Sequence, residues 1–145
     1  MNNNKRLLRN SRMVLPRDLN PRDTLFAGSC ANFMIETGFL AAEQFFGTPH
    51  MVCFALNGMK FLKSIGKGTS VTMEARVIYA GKSSIGVYVS MYTLHKEEKA
   101  AECFLSYVAI DEKTRRPVPH QLVIDDLTEY EKKLQDRYLA YKNVR

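Results

Sequence analysis

The sequence has no tryptophan, only three cysteines and three histidines, and no long apolar run. No stretch approaches the roughly 20 apolar residues that cross a bilayer, so we expect no membrane span and no membrane partner. The N-terminal residues MNNNKRLLRNSRMV lack a sustained apolar core before a cleavage site, which argues against a secretory signal. Cys30, Cys53 and Cys103 lie inside apolar runs without metal-ligand spacing. They indicate free thiols in a reducing compartment and predict a cytoplasmic protein.

Common catalytic signatures are also missing. The chain has no P-loop, no GxSxG, no HExxH and no CxxC pair. Its histidines, His50, His95 and His120, lie far apart in turns or connections. We interpret them as surface residues rather than as bases or ligands, and we predict no metal site.

Basic residues outnumber acidic ones, and the net charge is +6. Such a balance suits an anionic partner, either nucleic acid or a phosphorylated small molecule, although a solvated basic surface explains it equally well. The basic residues are not interleaved with aromatic residues in a recognisable nucleic-acid module, so we predict no nucleic-acid partner. Length and composition indicate one globular domain over residues 1–145.

An almost wholly apolar helix is predicted from Cys30 to Phe46. Apolar side chains fall on nearly every side of it, as expected for a helix covered by protein. At 100° per residue, Asn32, Glu36 and Glu43 share one narrow arc. Glu36 stands in the middle of the helix, where an isolated carboxylate is costly unless it is paired, protonated or acting on a ligand. A catalytic base and a structural ion pair both fit this pattern.

Strand-like stretches flank this helix. Arg6–Leu15 is a candidate first strand, and four more follow the helix without another helix between them. These are Met51–Ile65, Val71–Val77, Ser84–Leu94 and Ala101–Ile110. Asn57-Gly58 indicates a bulge, and a charged turn is predicted at His95–Lys99. The short turns make neighbouring strands antiparallel.

A second helix, amphipathic, is predicted at about 125–143, with Thr128 and Glu131 spaced as a capping box. The fold class is therefore α+β: an antiparallel sheet of about five strands wraps one long helix, with a core at about 6–120 and a C-terminal helix. Such a sheet leaves an open edge, which a second copy would close in a symmetric dimer.

Four stretches, in the same order and spacing, resemble the acyl-CoA hydrolase branch of the hotdog-fold thioesterases. They are Pro16-Arg17-Asp18-Leu19-Asn20 with Leu25-Phe26-Ala27-Gly28, Phe61–Gly68, Arg76-Val77 with Gly81-Lys82-Ser83-Ser84, and Val108–Asp111 with Pro117-Val118-Pro119. The resemblance implies the hotdog fold, hydrolysis of acyl-CoA thioesters, and at least a homodimer, with tetramers and hexamers as larger forms. It implies no separate cofactor, because CoA is part of the substrate.

The resemblance also implies a catalytic aspartate on the helix. In an ungapped register from Phe26 its position is Ile35, which cannot transfer protons. Glu36 takes the place if the turn has gained one residue around Ala27–Ser29. Backbone amides near Gly28 and Ser29 at the helix start could polarise the thioester carbonyl. Glu36 could then act as general base or as nucleophile.

Asn20 or Thr24 could hold the attacking water, while Asn20 also fits as a turn residue before the helix. The phosphates of CoA give Lys63, Arg76, Lys82 and the hydroxyls of Ser83 and Ser84 a possible role, beside Gly81 in the same turn. The alternative function is a non-catalytic acyl-CoA sensor on the same fold. Ile35 favours that alternative, and the lack of an N-terminal helix-turn-helix argues against it.

Overall fold

The computed structural model describes residues 3–95 and 98–142 and contains one five-stranded antiparallel sheet between two helices. The strands are β1 Leu7–Met13, β2 Met51–Phe61, β3 Ser70–Ala80, β4 Ser84–Thr93 and β5 Lys99–Ala109, and the helices are α1 Ala27–Phe46 and α2 Glu129–Lys142. The predicted α+β class is confirmed. In the predicted charged turn, residues 96 and 97 lie outside the described residues, as does residue 143 at the end of the predicted second helix.

The helix α1 packs against the inner face of the sheet, mainly on β3 and β4. Its inward side contributes Phe33, Met34, Ala41 and Phe45 to the main core. The helix ends at Phe46 and is capped by Gly47, whose φ of 79° suits the left-handed conformation. The Gly47 amide donates to the Glu43 carbonyl.

The opposite side of α1 is open. Asn32, Glu36, Leu40 and Gln44 are exposed on it. The prediction of a helix covered on every side is therefore wrong within one chain, because a single sheet covers only one side of a helix.

The strand order is β1-β3-β4-β5-β2, so β1 and β2 form the edges of the sheet. The predicted bulge in β2 is confirmed by a register shift between Asn57 and Lys60 and by a φ of 61° at Gly58. Along this edge Val52, Phe54 and Leu56 are each more than 40% exposed. An unpaired strand edge with exposed apolar side chains is a surface that a second strand would cover.

The helix α2 covers the outer face of the sheet through an aromatic cluster of Tyr88, Phe104 and Tyr138. A Cβ at Gly86 would lie 2.5 Å from the Tyr138 ring, so only glycine leaves room for that ring. The predicted capping box is confirmed: the Thr128 amide donates to Glu131 Oε1 and the Glu131 amide to Thr128 Oγ1, each at 3.1 Å.

Two buried ion clusters fasten this helix. Glu131 accepts hydrogen bonds from the guanidinium groups of Arg6 at 3.0 and 3.1 Å and Arg76 at 3.1 Å. Burial acts to raise the pKa of Glu131, but the bonds from Arg6 and the Thr128 amide outweigh it, and the pKa is lowered.

The second cluster joins Glu102 to Arg137 at 2.6 Å and to the Tyr88 hydroxyl at 2.6 Å, and Lys99 donates to the same hydroxyl at 2.5 Å. Burial opposes ionisation of Glu102. The hydrogen bonds from Arg137 and Tyr88 nevertheless lower its pKa to about 2. Across the described residues, no helix is long and apolar enough to span a bilayer.

Candidate active site

An open cleft of about 310 Å³ lies at the N-terminal end of α1. The loop before the helix, the first turn of the helix and the chain after β2 enclose it. The Leu25 amide donates to the Ile65 carbonyl at 2.7 Å, and the Phe26 amide to the Asp18 carbonyl at 2.9 Å. The first bond fixes the loop against the segment that follows β2, and the second closes the loop on itself. Of the predicted site residues, Asn20, Thr24 and Lys63 line this cleft together.

Asn20 organises the loop. Its Oδ1 accepts hydrogen bonds from the amides of Arg22 at 2.9 Å and Thr24 at 3.2 Å, and its Nδ2 donates to Thr24 Oγ1 at 2.8 Å. This is the turn role left open by the sequence. Because Thr24 Oγ1 already accepts from Asn20, its own proton is free to donate into the cleft.

The first turn of α1 also faces the cleft, through Ala27 and Cys30. No side chain caps the helix, and its first turn carries no acid. Its first N–H groups therefore keep their donor capacity and the positive end of the helix dipole. Beside them, a Cβ on Gly28 would lie 2.6 Å from the Phe26 ring, so the space at Gly28 holds that ring.

Cys30 is a wall of the cleft rather than a nucleophile. Burial raises the pKa of its thiol to about 11, so the thiol is neutral at pH 7. Its sulfur lies 3.6 Å from the sulfur of Met91 in the core.

Glu36 has a different setting from the one predicted. Its side chain is 52% exposed, and its Oε1 accepts a hydrogen bond from Arg12 Nη1 at 2.5 Å. The Arg12 guanidinium lies over the Phe33 ring, 4.1 Å from its centroid. The expected burial of Glu36 is wrong for the single chain, because Glu36 stands on the open side of α1. Nothing in the sequence spacing indicated Arg12 as its partner.

The residues predicted to bind CoA fall into separate places. Lys63 pairs with Glu98 on the exposed rim of the cleft. Arg76 is held by Glu74 and Glu131, and only 21% of its side chain is exposed. The network of Arg76 therefore fastens α2 and leaves its guanidinium little freedom to bind a phosphate.

The turn Gly81–Ser84 joins β3 to β4. Lys82 is exposed, and no ion pair or hydrogen bond engages its ammonium group within the described residues. The turn lies at the far end of β3 from the cleft, because the eleven residues of β3 span about 35 Å. One chain therefore does not bring this turn and the cleft together. Among the described residues, no group of three His, Cys, Asp or Glu side chains could hold a metal ion.

Comparison with known proteins agrees with this fold and these motifs. Residues 23–100 match the model of the thioesterase superfamily. The chain belongs to that family. An uncharacterised acyl-CoA thioester hydrolase of Bacillus subtilis is 32% identical over 120 residues, covering 80% of this chain and 69% of the relative. The predicted enzyme class, acyl-CoA thioesterase, is confirmed for this family member.

Two solved structures are similar along nearly the whole chain. A hexameric acyl-CoA thioesterase is 29% identical, with a TM-score of 0.80 over 97% of this chain and 90% of its own. An acyl-CoA hydrolase of Staphylococcus aureus, in complex with butyryl-CoA and CoA, is 26% identical, with a TM-score of 0.75 over 97% and 90%. The predicted hotdog fold is confirmed. In the S. aureus hydrolase an asparagine, a threonine and an aspartate have each been replaced by alanine.

Proposed function

We propose that this protein hydrolyses acyl-CoA thioesters to a free acid and CoA in a site shared between two chains. The observation that carries the proposal is the cleft at the uncapped start of α1, in a chain of the thioesterase superfamily. The amides of the first turn would polarise the thioester carbonyl, and the free Thr24 proton would hold the attacking water. Asn20 acts by orienting Thr24.

Glu36 is the proposed general base, and the length of α1 supports a site that takes it from a second chain. Glu36 lies eight positions after Gly28, about 12 Å along the helix. A general base must lie within hydrogen-bond reach of the water that it activates. The first-turn amides and Glu36 of one helix are therefore too far apart to act on the same carbonyl, which supports a site that uses the partner subunit's Glu36.

A dimer through β2 would provide that arrangement. Two β2 edges paired antiparallel give one continuous sheet and cover the exposed Val52, Phe54 and Leu56. The same two-fold axis sets the two α1 helices antiparallel and moves the partner subunit's Lys82 to the end of the sheet where the cleft lies. We propose that Lys82, with Ser83 and Ser84, binds the CoA phosphates, with Lys63 on the rim of the cleft.

A second candidate function is acyl-CoA binding without hydrolysis. In the S. aureus hydrolase the replaced aspartate follows the replaced asparagine by fifteen positions. In this chain the residue fifteen positions after Asn20 is Ile35, and the adjacent Glu36 is engaged by Arg12. Both observations favour a site that has lost its base.

Measuring thioester hydrolysis with acyl-CoAs of graded chain length decides between the two functions. Glu36→Gln keeps the side-chain volume and removes the base, so turnover should fall by roughly 10²–10⁴. Glu43→Gln, the same change on the same helix, should leave turnover unchanged. If Glu36→Gln is folded and as active as the unaltered protein, Glu36 has only a structural role. If the unaltered protein binds acyl-CoA without hydrolysing it, the binding function is correct.

Mixing two inactive variants tests the shared site. In a mixed dimer of Glu36→Gln and Thr24→Ala chains, one of the two sites has both native residues if the site spans two chains. Activity should then return to about a quarter of the unaltered level after subunit exchange. No recovery would place both residues in one chain.

A further inference from the structure

The segment 118–124, which follows β5 and its hairpin, runs beside the turn Gly81–Ser84. His120 fastens it there. The His120 amide donates to the Lys82 carbonyl at 3.1 Å, and His120 Nε2 lies 3.0 Å from the Ser84 carbonyl oxygen. The Leu122 amide donates to His120 Nδ1 at 3.0 Å. The ring also packs against Phe46 at the end of α1, with 5.5 Å between ring centroids.

These contacts define the protonation state of the ring. A carbonyl oxygen only accepts, so Nε2 must carry the hydrogen, and a backbone amide only donates, so Nδ1 must offer its lone pair. Only the neutral Nε2-protonated imidazole meets both conditions. An imidazolium has two donors, and it would lose the bond from Leu122 and place two N–H groups against each other.

The turn Gly81–Ser84 and the segment 118–124 form the two walls of a groove of about 340 Å³. One wall is the turn, through Gly81 and Lys82, and the other is Leu122–Ile124, with Gln135 and Leu139 of α2 at the side. The carbonyls of Lys82, Ser83 and Ser84 are all engaged. Ser83 accepts from the Ala109 amide at 2.7 Å, and Ser84 also accepts from the Gly81 amide at 2.8 Å. Lys82 therefore leaves a rigid turn at the mouth of the groove with its ammonium group free.

We propose that neutral His120 is a positioning residue for CoA binding: it holds Lys82 and the groove wall in place, and protonation of His120 releases them. The proposal rests on the proposed function of the Lys82 turn. Its consequence is that affinity for CoA falls when acidification protonates the ring.

The charged groups on the elements packed against the ring are few. They are Lys82 on the turn, Glu43 in the last turn of α1 and Asp125 beyond the fastened segment. None of them forms an ion pair with His120 among the described residues. Protonation therefore acts on the two hydrogen bonds that the ring itself makes.

Calorimetric titration with CoA at pH 7.5 and pH 5.5 tests the proposal. From pH 7.5 to pH 5.5, the loss of CoA affinity should be about fivefold larger in the unaltered protein than in His120→Gln. A fivefold change corresponds to about one lost hydrogen bond. The glutamine retains a donor for Ser84 and does not titrate. His120→Asn, which retains an acceptor for Leu122, should show the same flat profile. Titration of the CoA phosphates affects every variant equally and cancels in the comparison.

His50→Gln is the matched control, since His50 lies at the same end of the sheet and its ring pairs with the exposed Glu112. It should keep the full pH dependence. Exchange of the Leu122 amide, followed by NMR, should accelerate at pH 5.5 in the unaltered protein relative to neighbouring amides. If folded His120→Gln and the unaltered protein share one pH dependence of affinity, the inference is wrong while the proposed function stands. If none binds CoA at either pH, the proposed function fails and the inference fails with it.

Discussion

Two glutamates, one on each helix, show how burial decides what an ion pair does. Glu131 on α2 is 3% exposed and is held by two arginines, Arg6 and Arg76. Glu36 on α1 is half exposed and meets one arginine, Arg12. Removing one partner of a buried pair strands a charge away from water, whereas water replaces the partner of an exposed charge at little cost. The first pair therefore maintains the fold, whereas the second contributes little to stability.

The largest effect should come from the buried pair. Glu131→Ala removes the carboxylate that Arg6 and Arg76 share, together with half of the capping box. Arg6 keeps Asp126 as a partner at 3.2 Å, so the free energy of unfolding should fall by about 3 kcal/mol in urea titration. Glu129→Ala, in the same helix turn but 88% exposed, should change it by less than about 0.5 kcal/mol. If the two variants lose the same free energy of unfolding, burial does not decide how much an ion pair stabilises this fold.

The second buried carboxylate makes stability depend on pH. Glu102 has its pKa lowered from 4.5 to about 2, so its contribution is present above pH 4.5 and is lost as the pH falls towards 2. That contribution is at most about 3 kcal/mol. The urea midpoint of the unaltered protein should decrease between pH 5 and pH 3. Glu102→Gln should start lower and decline less steeply, and parallel curves would assign the acid sensitivity to other groups.

The exposed pair should separate activity from stability. Arg12→Gln should lower stability by less than about 1 kcal/mol, because the pair is exposed. If Glu36 is the base, turnover of Arg12→Gln should fall by about tenfold or more, because Arg12 orients the carboxylate. Arg9→Gln, which breaks the neighbouring exposed pair with Glu74, is the control and should leave turnover unchanged. Unchanged turnover in Arg12→Gln would mean that orientation by Arg12 has no part in the reaction.

The smallest effect is expected at Lys82. Lys82→Glu reverses an exposed charge and should weaken CoA binding by about tenfold at low salt, with a smaller difference at high salt because exposed charges are screened. Lys113→Glu, an exposed change of the same charge in the hairpin after β5, should leave affinity unchanged. Equal affinities of Lys82→Glu and the unaltered protein at low salt would exclude Lys82 from the phosphate site.

The sequence predicted the elements well because their signals are local. The alternation in β3, the glycine after α1 and the capping box of Thr128 and Glu131 each depend on neighbours within a few positions. The residues before the helix were also predicted to lie near its start, and Asn20 and Thr24 line the same cleft there. Local patterns therefore predicted the fold class and where two candidate residues lie, while their roles stay a prediction.

The rest of the candidate site could not be predicted, because it depends on which side of a helix or strand packs against which other element. Helical periodicity places Glu36 on an arc but cannot show whether a sheet or solvent lies opposite that arc. Glu102 carried the same signal as Glu36, an acid within an apolar stretch, and it could have been found by the same reasoning. Arg6 and Arg12 gave no signal, because their partners lie 125 and 24 positions away. Long-range pairing of this kind is set by topology.

The contact between Gly86 and Tyr138 constrains how the family can diverge. A side chain at position 86 would meet the tyrosine ring, and a smaller residue at 138 would leave a hole above a bare glycine. Neither change is tolerated without the other, although the positions lie 52 residues apart in different elements. Among homologues that keep the C-terminal helix, glycine and tyrosine should therefore be inherited together. Lineages that have lost the helix should be free to place a larger residue in the strand.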